Sequence, residues 1–297
     1  MNPLLATLSG KLTERWLNLL VLPGALFLGV LATGVTLGHG HWQDLGRLRA
    51  ALDGLAGRPA LERTGTAALV VAILLLLSSA LSLGAQFLGA GVERYWLREA
   101  RFAPSRVLVR RRAARYRRAD RARTAAIRDP ATAEPEIARL TLVRDRIGLV
   151  PPSRPTWYGD RLQAAAERVD AAYGVDLAAW WPRLWLVLQE PAQRQIESAR
   201  ASVAAAARLA AWAVGYLVVG LWWWPAVVIA AGCALVARTR ARDAVEALAS
   251  LVEAAVDVHG RELAVRVGVA VAEPERAPGL LGHESGDLMS EAFRKGG

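Results

Sequence analysis

The sequence predicts an all-α integral membrane protein: two transmembrane helical hairpins with a helical cytoplasmic region between them. Three observations carry this prediction. The chain has a mean hydropathy of +0.23 although 37 of its 297 residues are basic and 27 acidic. Its apolar residues fall in long charge-free blocks, whereas soluble domains disperse theirs among polar ones. Arginines stand at the ends of these blocks, on the side that the positive-inside tendency assigns to the cytoplasm. One cysteine, Cys233, excludes an intramolecular disulfide framework and any multi-cysteine metal site. Only Lys11 and Lys295 are lysine, and alanine is abundant, a coding bias of GC-rich bacterial genomes.

Residues 1–15 are read as a cytoplasmic N-terminus, with Lys11 and Arg15 flanking the first span. Residues 16–38 form the first uncharged run, 23 long, with Pro23-Gly24 near its middle. A helix crossing the hydrocarbon needs about 20 residues. A cleaved signal peptide has a shorter apolar core of about 7–15 residues, so the run reads as a retained span. Residues 39–66 form an outer loop of mixed charge. The second run, Ala67–Val92, has 26 uncharged residues, and Ser78, Ser79 and Gly84 allow close helix packing in lipid. Residues 16–92 are therefore the first hairpin. The third run, Leu209–Ala237, is 29 residues interrupted by Trp222-Trp223-Trp224-Pro225. One tilted helix and two short ones both fit its length. A hairpin over 203–240 is preferred, because it leaves Arg194, Arg200 and Arg208 on the same inner face as Arg238, Arg240 and Arg242. The indoles then sit at the outer interface, and Pro225 opens the returning helix.

Residues 93–128 are a basic juxtamembrane segment. Thirteen arginines against Glu93, Glu99 and Asp120 give this stretch the net charge of the whole chain, +10. Such a cluster attracts nucleic acid through counterion release. It also attracts anionic lipid, at about 1 kcal/mol per basic residue near the surface. Its position directly after a span favours lipid headgroups, with Arg110, Arg111, Arg112, Arg115, Arg117 and Arg118 as the expected contacts, and makes nucleic acid the weakest of the partners considered.

Residues 129–202 complete the helical cytoplasmic region. Glu134–Arg146 reads as a helix, and Pro151-Pro152-Ser153-Arg154-Pro155 as a stiff break. Thr156 is placed to cap a following helix that Gly174 ends. The string P-T-x-x-G-[ND]-x-L-x-A-A-E, then Y-G-[VL]-D, then W-P-R-L is carried by Pro155, Thr156, Gly159, Asp160, Leu162, Ala165, Ala166, Glu167, Tyr173–Asp176 and Trp181–Leu184. It resembles a block in uncharacterised four-span membrane proteins of actinobacteria and other bacteria. That resemblance extends to Leu22-Pro23 and to the closing stretch Leu251–His259, and it implies the four-span layout without bringing an activity. Asp160 stands where Asn is more usual, and Gly260 where an aromatic follows the histidine.

Candidate chemistry is sparse, and no cofactor is expected. His39 and His41 with Asp44 make a weak metal candidate, with no further histidine nearby. Asp160, Glu167 and Asp176 are compatible with acid–base work on lipid, but Arg161, Arg168 and Arg183 offer ordinary salt-bridge partners. No nucleophile elbow and no phosphate-cradling glycine signature is present. The uncharged runs hold no ionisable groups of the kind a coupled transporter uses. Residues 241–272 read as an amphipathic cytoplasmic helix with a stripe through Val245, Leu248 and Ala255, and 273–297 as a disordered tail. The expected function is a non-enzymatic membrane anchor or scaffold. Its cytoplasmic block, with Trp180, Trp181, Arg183 and Trp185, meets a protein partner or a second copy, or else forms a core. An oligomeric channel or transporter accessory is the alternative, and a lipid-acting membrane enzyme a further one.

Overall fold

The computed structural model describes residues 21–57, 63–98, 103–269 and 281–294, and its regular structure is helical, with no strand among these residues. The helices are α1 (Leu22–Leu37), α2 (Leu45–Ala56), α3 (Thr64–Leu97), α4 (Ala103–Arg128), α5 (Glu134–Asp145), α6 (Trp157–Tyr173), α7 (Leu177–Val187), α8 (Glu190–Val219), α9 (Pro225–Arg266) and α10 (His283–Arg294). The start of the first expected span (16–20), with Lys11 and Arg15, lies outside the described residues, as do Arg101 and the tail positions 273–280 and 295–297. Two compact units result. One holds the described residues up to Val92 with Ala204–Thr239, the other Glu93–Val203 with the described residues from Arg240 onward.

The first unit contains α1, α2, most of α3 and the adjoining ends of α8 and α9. Two of its helices, α3 and α8, are long and apolar enough to cross a membrane. Gly24 of α1 lies so close to α3 that a Cβ there would collide with the Ser78 carbonyl. Gly89 plays the same part against α8, where a Cβ would stand 3.0 Å from the Arg208 Cα. Small residues thus set the helix spacing, as in lipid-embedded bundles. Phe27 packs its ring 5.4 Å from Trp212 and 5.3 Å from Tyr216. The third uncharged run is not one straight helix: α8 ends at Val219, residues 220–224 turn, and Pro225 starts α9. The turn is closed by Trp222 and Trp223 amides donating to the Val219 carbonyl at 3.0 and 3.1 Å. Proline at the first helical position loses no hydrogen bond, because that amide has no intrahelical partner.

Residues 39–66, expected to form a loop, contain a helix that the sequence reading did not anticipate. Asp44 Oδ1 accepts from the Arg47 amide at 2.9 Å, which caps α2.

The second unit has its own core. Val175, Trp180, Leu184, Ile196, Val256, Leu263 and Met289 are its buried centre. A smaller cluster joins Val203 of α8 to Ala244 and Val245 of α9, with Trp157, Tyr158 and Leu162 against it. The stripe on α9 is therefore buried within the same chain. Helices α4 and α5 pair through Arg123 Nε donating to Thr141 Oγ1 at 3.1 Å and an Arg144–Asp120 contact at 3.8 Å. The expectation of a disordered C-terminus fails over 283–294. These residues form α10, and Met289 and Ser290 are buried. Glycine and charge suggested disorder, but the alternation of Gly286, Met289, Ser290 and Phe293 with polar residues gives one helical face that docks.

Candidate functional site

The block that begins at Pro155 is positioned by one buried carboxylate. Thr156, in extended conformation, caps α6 by accepting from the Gly159 amide at 3.2 Å, and its hydroxyl donates to the Trp96 carbonyl. Asp160, on the first turn of α6, has both oxygens occupied. Oδ1 accepts from the amides of Ser153 (2.9 Å) and Arg154 (2.7 Å), and Oδ2 from Arg112 at 2.5 Å. Arg112 also donates to the carbonyls of Ile147 (3.0 Å) and Arg154 (2.7 Å). Arg154 in turn donates to the Leu97 carbonyl at 2.5 Å and to Gln163 at 2.9 Å. One carboxylate thus ties α4, the proline-rich break and α6 together. Arg112 belongs to this knot and faces inward, which corrects its expected place among headgroup contacts.

The next residue, Arg161, is buried too and reaches α9. Its guanidinium donates bidentately to Glu246, at 2.8 and 2.7 Å, and to Glu253 at 3.1 Å, while Arg168 joins Glu253. Arg161 and Arg168 therefore do not pair with Asp160 and Glu167, because adjacent helix residues do not face each other. Hydrogen bonding from Arg161 holds Glu246 below the usual carboxylate range. Glu167 takes Gln163 at 3.2 Å.

Gly174 closes α6 in the left-handed conformation (φ 65°), and a Cβ there would collide with Asp287 of α10. Asp176 then caps α7, accepting from the amides of Ala178 (3.1 Å) and Ala179 (3.4 Å). Partial burial works to raise its pKa, but the Arg294 guanidinium at 3.0 Å and these two amides override it and hold the carboxyl below its ordinary value. Ser290 is the hub of the α10 contact. Its hydroxyl accepts from the Asp176 amide (3.0 Å) and Trp180 Nε1 (3.1 Å) and donates to the Gly174 carbonyl (2.9 Å). Phe293 meets Trp180 edge-on at 5.7 Å and lies 4.2 Å beneath the Arg183 guanidinium.

Of the four residues expected to meet a partner, Trp180 is wholly buried and Arg183 covers Phe293. Helix α10 supplies contacts that Trp180 and Arg183 make. Trp181 and Trp185 are half-buried, and Leu186 beside them is 80% exposed.

Along α4, Arg110, Arg111, Arg115, Arg117 and Arg118 are exposed, and none forms an ion pair among the described residues. Together they make an uncompensated cationic face. Between α1 and α2, His41 Nδ1 lies 2.8 Å from the Arg47 guanidinium, so that ring faces a cation. Among the described residues no group of three or more His, Cys, Asp or Glu side chains is placed to hold a metal ion. Comparison of the chain with family models, curated proteins and solved structures gave no match.

Proposed function

We infer that the chain is a non-enzymatic anchor of a bacterial cytoplasmic membrane. Two helical hairpins cross the bilayer, both termini stay inside, and the helical second unit is held at the inner surface. One observation carries this reading: along α3 the large apolar side chains are exposed. Leu69, Leu74, Leu76, Phe87 and Leu88 are 50–79% exposed, and only 11% of the helix's most apolar window is buried. At about 25 cal/mol per Å² such surface is costly in water and neutral in hydrocarbon. The exposed Trp222 and Trp224 at the 220–224 turn suit the outer interface, and Arg208 and Arg238 can extend to the inner headgroups. In this reading α1 and Pro225–Ala237 complete the hairpins.

Alkaline carbonate washing of membranes from expressing cells tests the anchor. The full chain is expected to stay wholly with the pellet, and release into the supernatant would refute insertion.

The cationic face of α4 gives the anchor its second contact, with anionic headgroups. Five arginines at about 1 kcal/mol each would hold this helix flat on an acidic leaflet. In proteoliposomes, trypsin is expected to cut after residues 110–118 at least tenfold more slowly on phosphatidylglycerol than on phosphatidylcholine. The difference is expected to vanish near 1 M salt, where the Debye length falls to about 3 Å. Equal cleavage of both bilayers at low salt would remove the electrostatic contact. Because α10 takes up Trp180 and Arg183, the face left for a protein partner or second copy is Trp181, Trp185 and Leu186.

A further inference from the structure

The second unit contains a cavity that the ion-pair network does not use, with the half-buried Trp181 as one of its walls. It measures about 430 Å³ and lies between α6, α7, α8 and α9. Leu162, Leu177, Trp181, Leu248 and Val252 are among its walls, and Arg200 is the one charged residue in its lining. Apolar walls with a single convergent polar group are the pattern of a small-ligand site, and the volume falls at the lower end of the ~300–1,000 Å³ such sites span.

Several cations on these helices are already paired within the chain. Arg161 and Arg168 are satisfied by Glu246 and Glu253, and Arg194, on the same helix as Arg200, by Glu190. Arg200 is exposed and forms no ion pair among the described residues, and no carboxylate lines the cavity with it. An occupant that matches these features has an apolar body and one negative charge. A planar carboxylate fits one guanidinium bidentately. A diacyl lipid exceeds the space, and a neutral apolar molecule makes no use of Arg200.

We propose that this cavity binds the acyl chain of a medium-chain fatty acid, with Arg200 paired to its carboxylate. The chain buries methylene groups against Trp181, Leu248 and Val252. The head group stays at the mouth, where Arg200 is solvated and mobile enough to meet it. All the lining residues belong to the second unit, so the proposal stands independently of membrane insertion.

Photo-crosslinking tests it. The full chain in phosphatidylcholine nanodiscs is exposed to a diazirine-bearing dodecanoic acid, and to the matching diazirine dodecanol, and labelled peptides are mapped. The acid is expected to mark peptides spanning 177–182 and 248–252, and unlabelled dodecanoate is expected to compete. Arg200→Gln is expected to cut sub-saturating labelling about tenfold, the size of one charge-assisted hydrogen-bond pair. Ala166→Phe, which fills the cavity from a half-buried position on α6, is expected to abolish labelling while the unfolding temperature holds or rises. Equal labelling by acid and alcohol overturns the proposal. So does label confined to 67–92 and 209–237, full labelling of the filled variant, or an unlabelled cavity.

Discussion

Replacing Asp160 with alanine is expected to destabilise the second unit by about 3–5 kcal/mol, the range for removing one partner of a buried ion pair. The side chain is 3% exposed, and that of its partner Arg112 is 18% exposed. Alanine would leave the guanidinium without its carboxylate and the Ser153 and Arg154 amides without an acceptor. The break between α5 and α6 would lose its bonds to the carboxylate and keep those that Arg112 and Arg154 make to carbonyls and to Gln163. At about 2–4 °C per kcal/mol for a unit of this size, the unfolding midpoint followed by tryptophan fluorescence should fall by roughly 10 °C. Asparagine keeps an oxygen for the two amides but puts an amino group in place of Oδ2, which cannot accept from Arg112, so the charge and that hydrogen bond are both lost. Asp160→Asn should therefore cost about 1.5–3 kcal/mol, the worth of a hydrogen bond to a charged group. Equal midpoints for the alanine variant and the parent would show that Arg112 is held by the carbonyls of Ile147 and Arg154 alone.

The second large effect is expected at Trp180. The side chain is wholly buried, and Trp180→Ala removes a core indole at about 3–5 kcal/mol. The loss should be local in a telling way. Trp180 Nε1 donates to Ser290, and its ring meets Phe293, so alanine also strips α10 of its central contacts. Hydrogen exchange over 283–294 is expected to rise to the rate of an unfolded peptide while α4 and α5 keep their protection. Trp180→Phe retains most of the volume and loses one hydrogen bond, about 1 kcal/mol, so α10 should stay docked. Retained protection of 283–294 in the alanine variant would mean that Arg294–Asp176 and Met289 suffice to hold the helix.

Local and periodic features of this architecture can be read from the sequence, and contacts between distant segments cannot. The Thr156 cap, the Gly174 stop, the turn before Pro225 and the α9 stripe are written in neighbouring residues, where turn chemistry and helical period act directly. Arg112–Asp160 spans 48 positions and Arg161–Glu246 spans 85, and nothing in either local pattern names the partner. With so many arginines, composition offers every acid several equally plausible cations, and only the rotation of each side chain about its helix decides among them. The same holds for Trp180. An aromatic cluster looks alike whether it awaits a partner or has one, and the helix that fills the place lies more than a hundred residues downstream, after a stretch whose Gly, Pro and charge suggested disorder. The cavity at Arg200 had no sequence signature, because its walls come from four helices.

The anchor reading stands or falls on the sidedness of the 220–224 turn and the C-terminal helix. In a Cys233→Ser background, Trp222→Cys and Glu284→Cys place single thiols at exposed positions in the turn and on α10. Spheroplasts are treated with a membrane-impermeant maleimide before and after permeabilisation. The account predicts label at position 222 in intact spheroplasts and at position 284 only once the membrane is opened. Label at 284 in intact spheroplasts, or at 222 only after permeabilisation, would contradict it.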